Sequence, residues 1–253
     1  MEKYLRGFRV EVRKAREYFS SFLSSLIYLP VTVLIYYFLF RYVLQSGGNF
    51  PMSLREILTY YTVVLFIRAT ISHSMAEVYY VFQDINEGTL DLWLIRPVSY
   101  PLMRYFRSLG SVCLTVPAGL LFLLAVFFGR FRVGNFLAFI FSVFLGFTLL
   151  FAVMFLLGSL TFWLKSVLTL RDIFWYVLSF FSGELRPLNL LPRGLRVLVD
   201  NPLASVYYLP SQVLSSPSPL PILLRQLIYA GIFLALEGAV WKIGVKKYES
   251  QGG

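Results

Sequence analysis

The chain has 253 residues, of which 58% are hydrophobic and 14% charged, far from the roughly 45–50% and about 25% of soluble domains. With a mean hydropathy of +0.70, this composition excludes a soluble globular protein and points to an integral membrane protein. The net charge of +10 in so apolar a chain marks a cytoplasmic face and its anionic lipids rather than a nucleic-acid partner.

Residues 1–22 stand apart from the rest. Leu5, Phe8, Val12, Ala15 and Phe19 recur at steps of three and four, and Arg6, Arg9, Arg13 and Arg16 follow the same rhythm on another face. That pattern predicts an amphipathic helix lying in the cytoplasmic membrane interface. It lacks the short apolar core and cleavage site of a signal peptide.

A crossing needs about 20 apolar residues. Spans are predicted at Phe22–Leu44 with Pro30 as a kink site, Ile57–Phe82, Met103–Phe128 with Pro117 inside it, and Phe136–Leu164, long enough to tilt. A short fifth segment, Val167–Phe181, carries Arg171 and Asp172 near its start, and a sixth span covers Leu220–Val240. With six spans and a cytoplasmic N-terminus, 14 Lys and Arg lie inside and 7 outside, which supports that orientation. Dropping the fifth span gives 15 against 6, so charge alone does not decide whether it crosses.

Single occurrences of His73 and Cys113 exclude an internal disulfide, a C-x-x-C redox pair, a Cys/His zinc cage and an H-E-x-x-H protease. Neither a G-x-x-x-x-G-K-S/T phosphate loop nor a G-x-G-x-x-G turn is present. Cys113 reads as a small buried hydrophobe. Arg68, His73 and Glu77 fall inside the second predicted span and Glu237 inside the last. Charge near the bilayer centre is expensive, so these four are candidates for a translocation pathway. The plain alternative is that they bond to neighbouring helices or sit near an interface. Gly231, Ala235 and Ala239 form a small-residue stripe suited to close helix packing.

Three connecting segments are informative. Residues 83–102, QDINEGTLDLWLIRPVSYPL, place charges and a glycine beside a short apolar cluster. Residues 182–221, from SGELRPLNLLP through NPLASVYYLP to SSPSPLP, are too apolar for a solvated loop and too broken by Pro and Gly for one helix. They predict short helices at the outer surface. The tail, WKIGVKKYESQGG, is a basic stop.

In this order the three segments resemble the permease subunits of ABC transporters of the type-2 export class. NEGTLDLWLIRP looks like that family's Gly, acidic and Leu-rich run closed by Arg-Pro. SGELRPLNLLP followed by NPLASVYYLP looks like its stretch between the fifth and sixth helices. Trp241, Lys247, Tyr248 and Gly252 match the way such chains end. The resemblance implies an all-α polytopic membrane protein with an N-terminal interfacial helix, six transmembrane helices in residues 23–253, and short extracellular helices over 182–220. Both termini would be cytoplasmic, in the inner membrane.

The resemblance further implies half of a transmembrane pore, paired with a second permease (itself or a related chain) and with two copies of an ABC ATPase that holds the ATP and magnesium. The chain itself would bind no cofactor and perform no covalent chemistry. By the same resemblance 83–102 is the ATPase-coupling loop, with Asp84, Glu87, Gly88, Asp91, Trp93, Arg96 and Pro97 as its candidate residues. Acidic groups there would meet basic groups of the ATPase, Trp93 would anchor the contact, and Arg96-Pro97 would end the helix. Glu184, Arg186, Pro187, Asn201 and Pro202 are placed in an extracellular gate region. The expected cargo is amphipathic, lipid-like, drug-like or glycan. The rival reading is an ion-gradient carrier built on Glu77, His73 and Glu237, which lacks the repeat between the two halves that such carriers often show.

Overall fold

A computed structural model describes the chain except for residues 1, 18, 48–50, 114, 128–131, 192–193, 195–198 and 249–253. The predicted third-span end at Phe128, the outside charges Arg130, Arg193 and Arg196, and Gly252 of the tail lie outside the described residues. Every regular element among the described residues is helical.

Three helices are long and apolar enough to cross a membrane alone: Ile27–Gln45, Val133–Phe162 and Leu220–Lys247. The first lies in α2 (Phe19–Gln45), which continues unbroken through Pro30 and turns Ile27, Leu34, Ile35, Phe38 and Tyr42 outward. The second is α8 (Val133–Ser159), extended by a 3-10 turn over Leu160–Phe162. The third is α11 (Leu220–Lys247), which runs seven residues past its predicted end.

α8 is the centre of the molecule. α11, α4 (Glu77–Asn86), α3 (Leu54–Ile71) and α10 (Tyr208–Val213) all pack against it. From Phe147 through Phe155 every α8 residue is buried, as expected for a helix that is apolar all round. Two glycines set its closest approaches. A Cβ on Gly146 would lie 2.8 Å from the Ser205 carbonyl oxygen, and one on Gly158 would lie 2.8 Å from Val81 Cβ. Between these helices Gln226 of α11 takes a hydrogen bond from Ser142 Oγ (2.6 Å) and donates to the Ser205 carbonyl oxygen (2.9 Å), satisfying a buried amide.

Two predicted spans are broken. The second consists of α3, a 3-10 turn over Ser72–Ala76 and α4. The third divides into α6 (Tyr100–Ser111) and α7 (Thr115–Phe127), with Val112 and Cys113 in a turn between them. The division has a physical cause, because α6 carries Arg104, Arg107, Ser108 and Ser111 and needs a polar neighbour. That neighbour is α1 (Glu2–Glu17), which lies along α6. Tyr4 stacks on Phe106 at 5.8 Å, and Arg107 pairs with Glu11 at 2.9 Å. A Cβ on Gly110 would lie 2.6 Å from the Phe8 carbonyl oxygen. The docked face of α1 is therefore Tyr4, Gly7, Phe8 and Glu11, whereas Leu5, which the periodicity placed on the apolar face, is exposed.

The fifth predicted segment is a single helix, α9 (Leu168–Phe181). After it, the segment expected as surface helices packs inward. Leu188, Leu191, Ala204, Ser205, Val206, Tyr207 and Leu209 are buried, and α10 lies on α8. Its Pro-broken, apolar sequence is explained by this burial: it fills space between α3, α8 and α11 in short turns.

Candidate functional site

The 83–102 segment is a compact turn built on internal bonds. α4 ends at Asn86, and Gly88 reverses the chain with φ +72, a conformation that glycine takes without steric penalty. Asp84 then staples the turn, accepting from Thr89 Oγ1 (2.7 Å) and from the Tyr100 hydroxyl (2.5 Å). A five-residue helix, α5 (Leu90–Leu94), follows with Leu90 fully buried beneath it. Before Pro97 the chain leaves the helix through bonds from Ile95 N–H to the Asp91 carbonyl oxygen and from Arg96 N–H to that of Trp93. What α5 and the residue that caps it present outward is apolar: Leu92 is 55% exposed, Ile95 80%, and Leu94 is exposed too.

These positions differ from the expected roles in two respects. Asp84 is occupied within the turn rather than presented to a partner. Trp93 is half-buried and packs edge-on against Tyr100 at 5.9 Å, with the Arg96 guanidinium 4.9 Å and that of Arg107 5.8 Å from its ring centre. Glu87 remains at the surface, held by Gln83 Nε2 at 2.8 Å.

Below the turn lies an aromatic column. Tyr100 stacks on Trp241 at 4.9 Å and 12°, Trp241 contacts Phe155 and Phe162, and Phe162 meets Tyr248. The Tyr100 hydroxyl, buried at the head of this column, is the donor to Asp84. Burial, and then the neighbouring Asp91, push the Tyr248 hydroxyl above its usual range. Contact with Phe162 holds Tyr248 against this column.

Beside the column, Arg104 Nε donates to Glu77 Oε2 at 2.9 Å, and the Arg104 guanidinium lies 4.2 Å from the Tyr80 ring centre. His73 and Glu77 both border a cavity of about 120 Å³ between α1, the Ser72–Ala76 turn and α6, along with Glu11, Lys14 and Arg107. The 3-10 turn has not separated the two residues.

Arg68 is elsewhere. It pairs with Glu184 at 3.0 Å, and Ser179 Oγ donates to the other Glu184 oxygen at 2.7 Å. A residue expected in the pathway and one expected in the gate thus form one cluster. Around them the Tyr60 hydroxyl donates to the Gly183 carbonyl oxygen and that of Tyr61 to the Leu185 carbonyl oxygen. Gly183 has φ +90 and no room for a Cβ. Arg186 lies 5.9 Å over Phe180, and Pro187 is buried. Asn201 bridges the end of α9 to the turn that Pro202 begins, donating to the Phe181 carbonyl oxygen (2.9 Å) and accepting from Ala204 N–H (3.1 Å). Glu237 is in a third place, the wall of a groove between α6, α8 and α11. The four candidate pathway residues are therefore not brought together.

Sequence reading missed Arg104 as the partner of Glu77, Arg107 as the partner of Glu11, and Tyr100 as the hub of the turn. The usable signal was Glu77 itself, since a carboxylate in an apolar run calls for a cation. Among the described residues no cluster of three metal-ligating side chains occurs.

Residues 26–252 match the model of a family described as ABC-2 family transporter protein, a match that begins inside α2. A search of curated proteins finds no match for the chain.

Proposed function

The chain belongs to the ABC-2 family of transporter proteins, as a membrane-embedded permease, and on that premise we propose that it forms half of an export pathway driven by a separate ATP-hydrolysing subunit. In this reading it crosses the inner membrane six times with both termini in the cytosol, α3 and α4 together serving as the second crossing and α6 and α7 as the third. Two copies of the ATPase hold ATP and magnesium, and a second permease, identical or related, completes the pore. The cargo is amphipathic, in keeping with aromatic residues at 18% of the chain.

The observation that carries this reading is the 83–102 turn: an apolar tip of Leu92, Leu94 and Ile95 presented outward on a base fixed by Asp84, Tyr100 and Trp241. Exposed apolar side chains on a rigid support suit insertion into a partner's groove. Closure of the ATPases would draw the two turns together and switch the permeases between inward- and outward-facing states. The rival ion-driven carrier has less support, since Glu77 is already neutralised by Arg104.

The test is purification from native membranes in mild detergent, with identification of bound subunits and assay of ATP hydrolysis. The expected result is a stoichiometric ATPase that is lost from the Leu92→Asp, Ile95→Asp double variant while its unfolding temperature stays within a few degrees of the parent. A chain that purifies alone, or transport that survives ATP depletion and collapses with the proton gradient, overturns the proposal.

A further inference from the structure

The groove that holds Glu237 has a volume of about 450 Å³. Its walls are the apolar side chains of Leu102, Phe151, Leu234 and Trp241, and the Tyr105 hydroxyl in the wall is already bonded to Thr148 at 2.8 Å. Glu237 itself is only 5% exposed, and its Oε1 is buried without a hydrogen-bond partner among the described residues. The neighbouring Gly238 has open space where a Cβ would stand, and Leu102 and Leu234 are exposed at the flanks. Lys242 borders the groove, exposed, about 7.5 Å further along the axis of α11.

A carboxylate withdrawn from water demands a compensating donor. No described residue supplies it, and a bound metal ion would need more ligands than this apolar cavity offers. A donor from outside, attached to something that fills an apolar slot, would supply it. We propose that the α6–α8–α11 groove binds an amphiphile with a protonated amine head, the ammonium meeting Glu237 and the apolar body lying against Phe151, Leu234 and Trp241. An aromatic wall adds cation–π attraction for such a head. Two sources carry this chemistry, an aminophospholipid of the surrounding leaflet and a small cationic amphiphile. Lys242 separates them: it attracts the phosphate of the lipid and repels a molecule whose only charge is the amine. The proposal concerns binding and holds whether or not ATP drives transport.

The experiment uses the full chain in mild nonionic detergent. Retained phosphatidylethanolamine or phosphatidylglycerol is read by native mass spectrometry, and dodecylammonium serves as competitor. Expected are preferential retention of phosphatidylethanolamine, its displacement by dodecylammonium, and at least a tenfold loss of affinity in Glu237→Gln. Gly238→Leu fills the slot where the structure leaves room and is expected to abolish retention without lowering the unfolding temperature. Lys242→Glu weakening only the phospholipid identifies the lipid as the occupant. The same variant leaving the lipid unchanged and tightening dodecylammonium identifies the small amphiphile. Equal retention of the two lipids with Glu237→Gln unchanged overturns the proposal, and so does binding that survives Gly238→Leu.

Discussion

Two of the ion pairs that join distant segments, Arg104–Glu77 and Arg68–Glu184, are built differently. In Arg104–Glu77 both side chains are withdrawn from solvent, at 7% and 3% exposure. In Arg68–Glu184 the carboxylate is equally buried at 6%, but the arginine is 44% exposed. In the first pair each charge is held mainly by the other, with the Tyr80 ring over the guanidinium and Arg107 on the same small cavity. The second can part at lower cost, because Arg68 keeps its contact with the Trp175 ring and Glu184 keeps the hydrogen bond from Ser179. A pair of the first kind fixes helices in place, whereas one of the second kind can open and close.

The difference between the two pairs is largest at Glu77. Glu77→Ala leaves a buried guanidinium unpaired, and a loss of about 3–5 kcal/mol is expected, a fall of roughly 10 °C in unfolding temperature in detergent. The double variant Glu77→Leu, Arg104→Met should recover most of it. A double variant no more stable than the single one would show that the pair is not what holds α4 to α6. Glu184→Gln keeps the bond from Ser179 and strands only a half-exposed cation, so about 1 kcal/mol is expected, read in the same way. A fall as large as that of Glu77→Ala would erase the distinction.

A carboxylate at the surface sets the low end of the scale. Glu56 closes a capping box with Ser53 at the start of α3, and hydrogen bonds from the Ser53 backbone and then its hydroxyl hold its carboxyl below the usual range. A depressed folded value means the contribution is present above the unfolded value of 4.5 and is lost as pH falls through the folded one. Ser53→Ala should cost about 1 kcal/mol near neutrality through loss of the cap and flatten the acid-side decline in unfolding temperature. An unchanged acid limb would show that the box contributes nothing.

Length and periodicity made some of this readable. α8 is an almost uniformly apolar run, and its burial follows from that, whereas α11 is apolar enough to be read as a span although Gln226 and Glu237 interrupt it. The Gly, Asp and Arg-Pro of the 83–102 turn announced a reversal between helices. The breaks at Ser72–Ala76 and at Val112 and Cys113 were not readable, because a count of apolar residues is blind to where a helix must stop for a polar face to find its neighbour. Arg104 was counted as one more cytoplasmic charge, since its partner lies in an earlier helix and only the packing of α6 beside α4 brings them together. Asn201 looked like gate chemistry, yet its amide is used in joining α9 to the next turn.

The stack of Tyr100 on Trp241 has a mechanical consequence. Rings in face-to-face contact resist compression steeply, since repulsion rises as soon as close-packed atoms are pressed together. A displacement of the 83–102 turn would therefore press on Trp241 of α11 and, through it, on Phe155 of α8. Through these rings the turn touches α8 and α11 at once, so a movement of either helix relative to the other is felt at Tyr100.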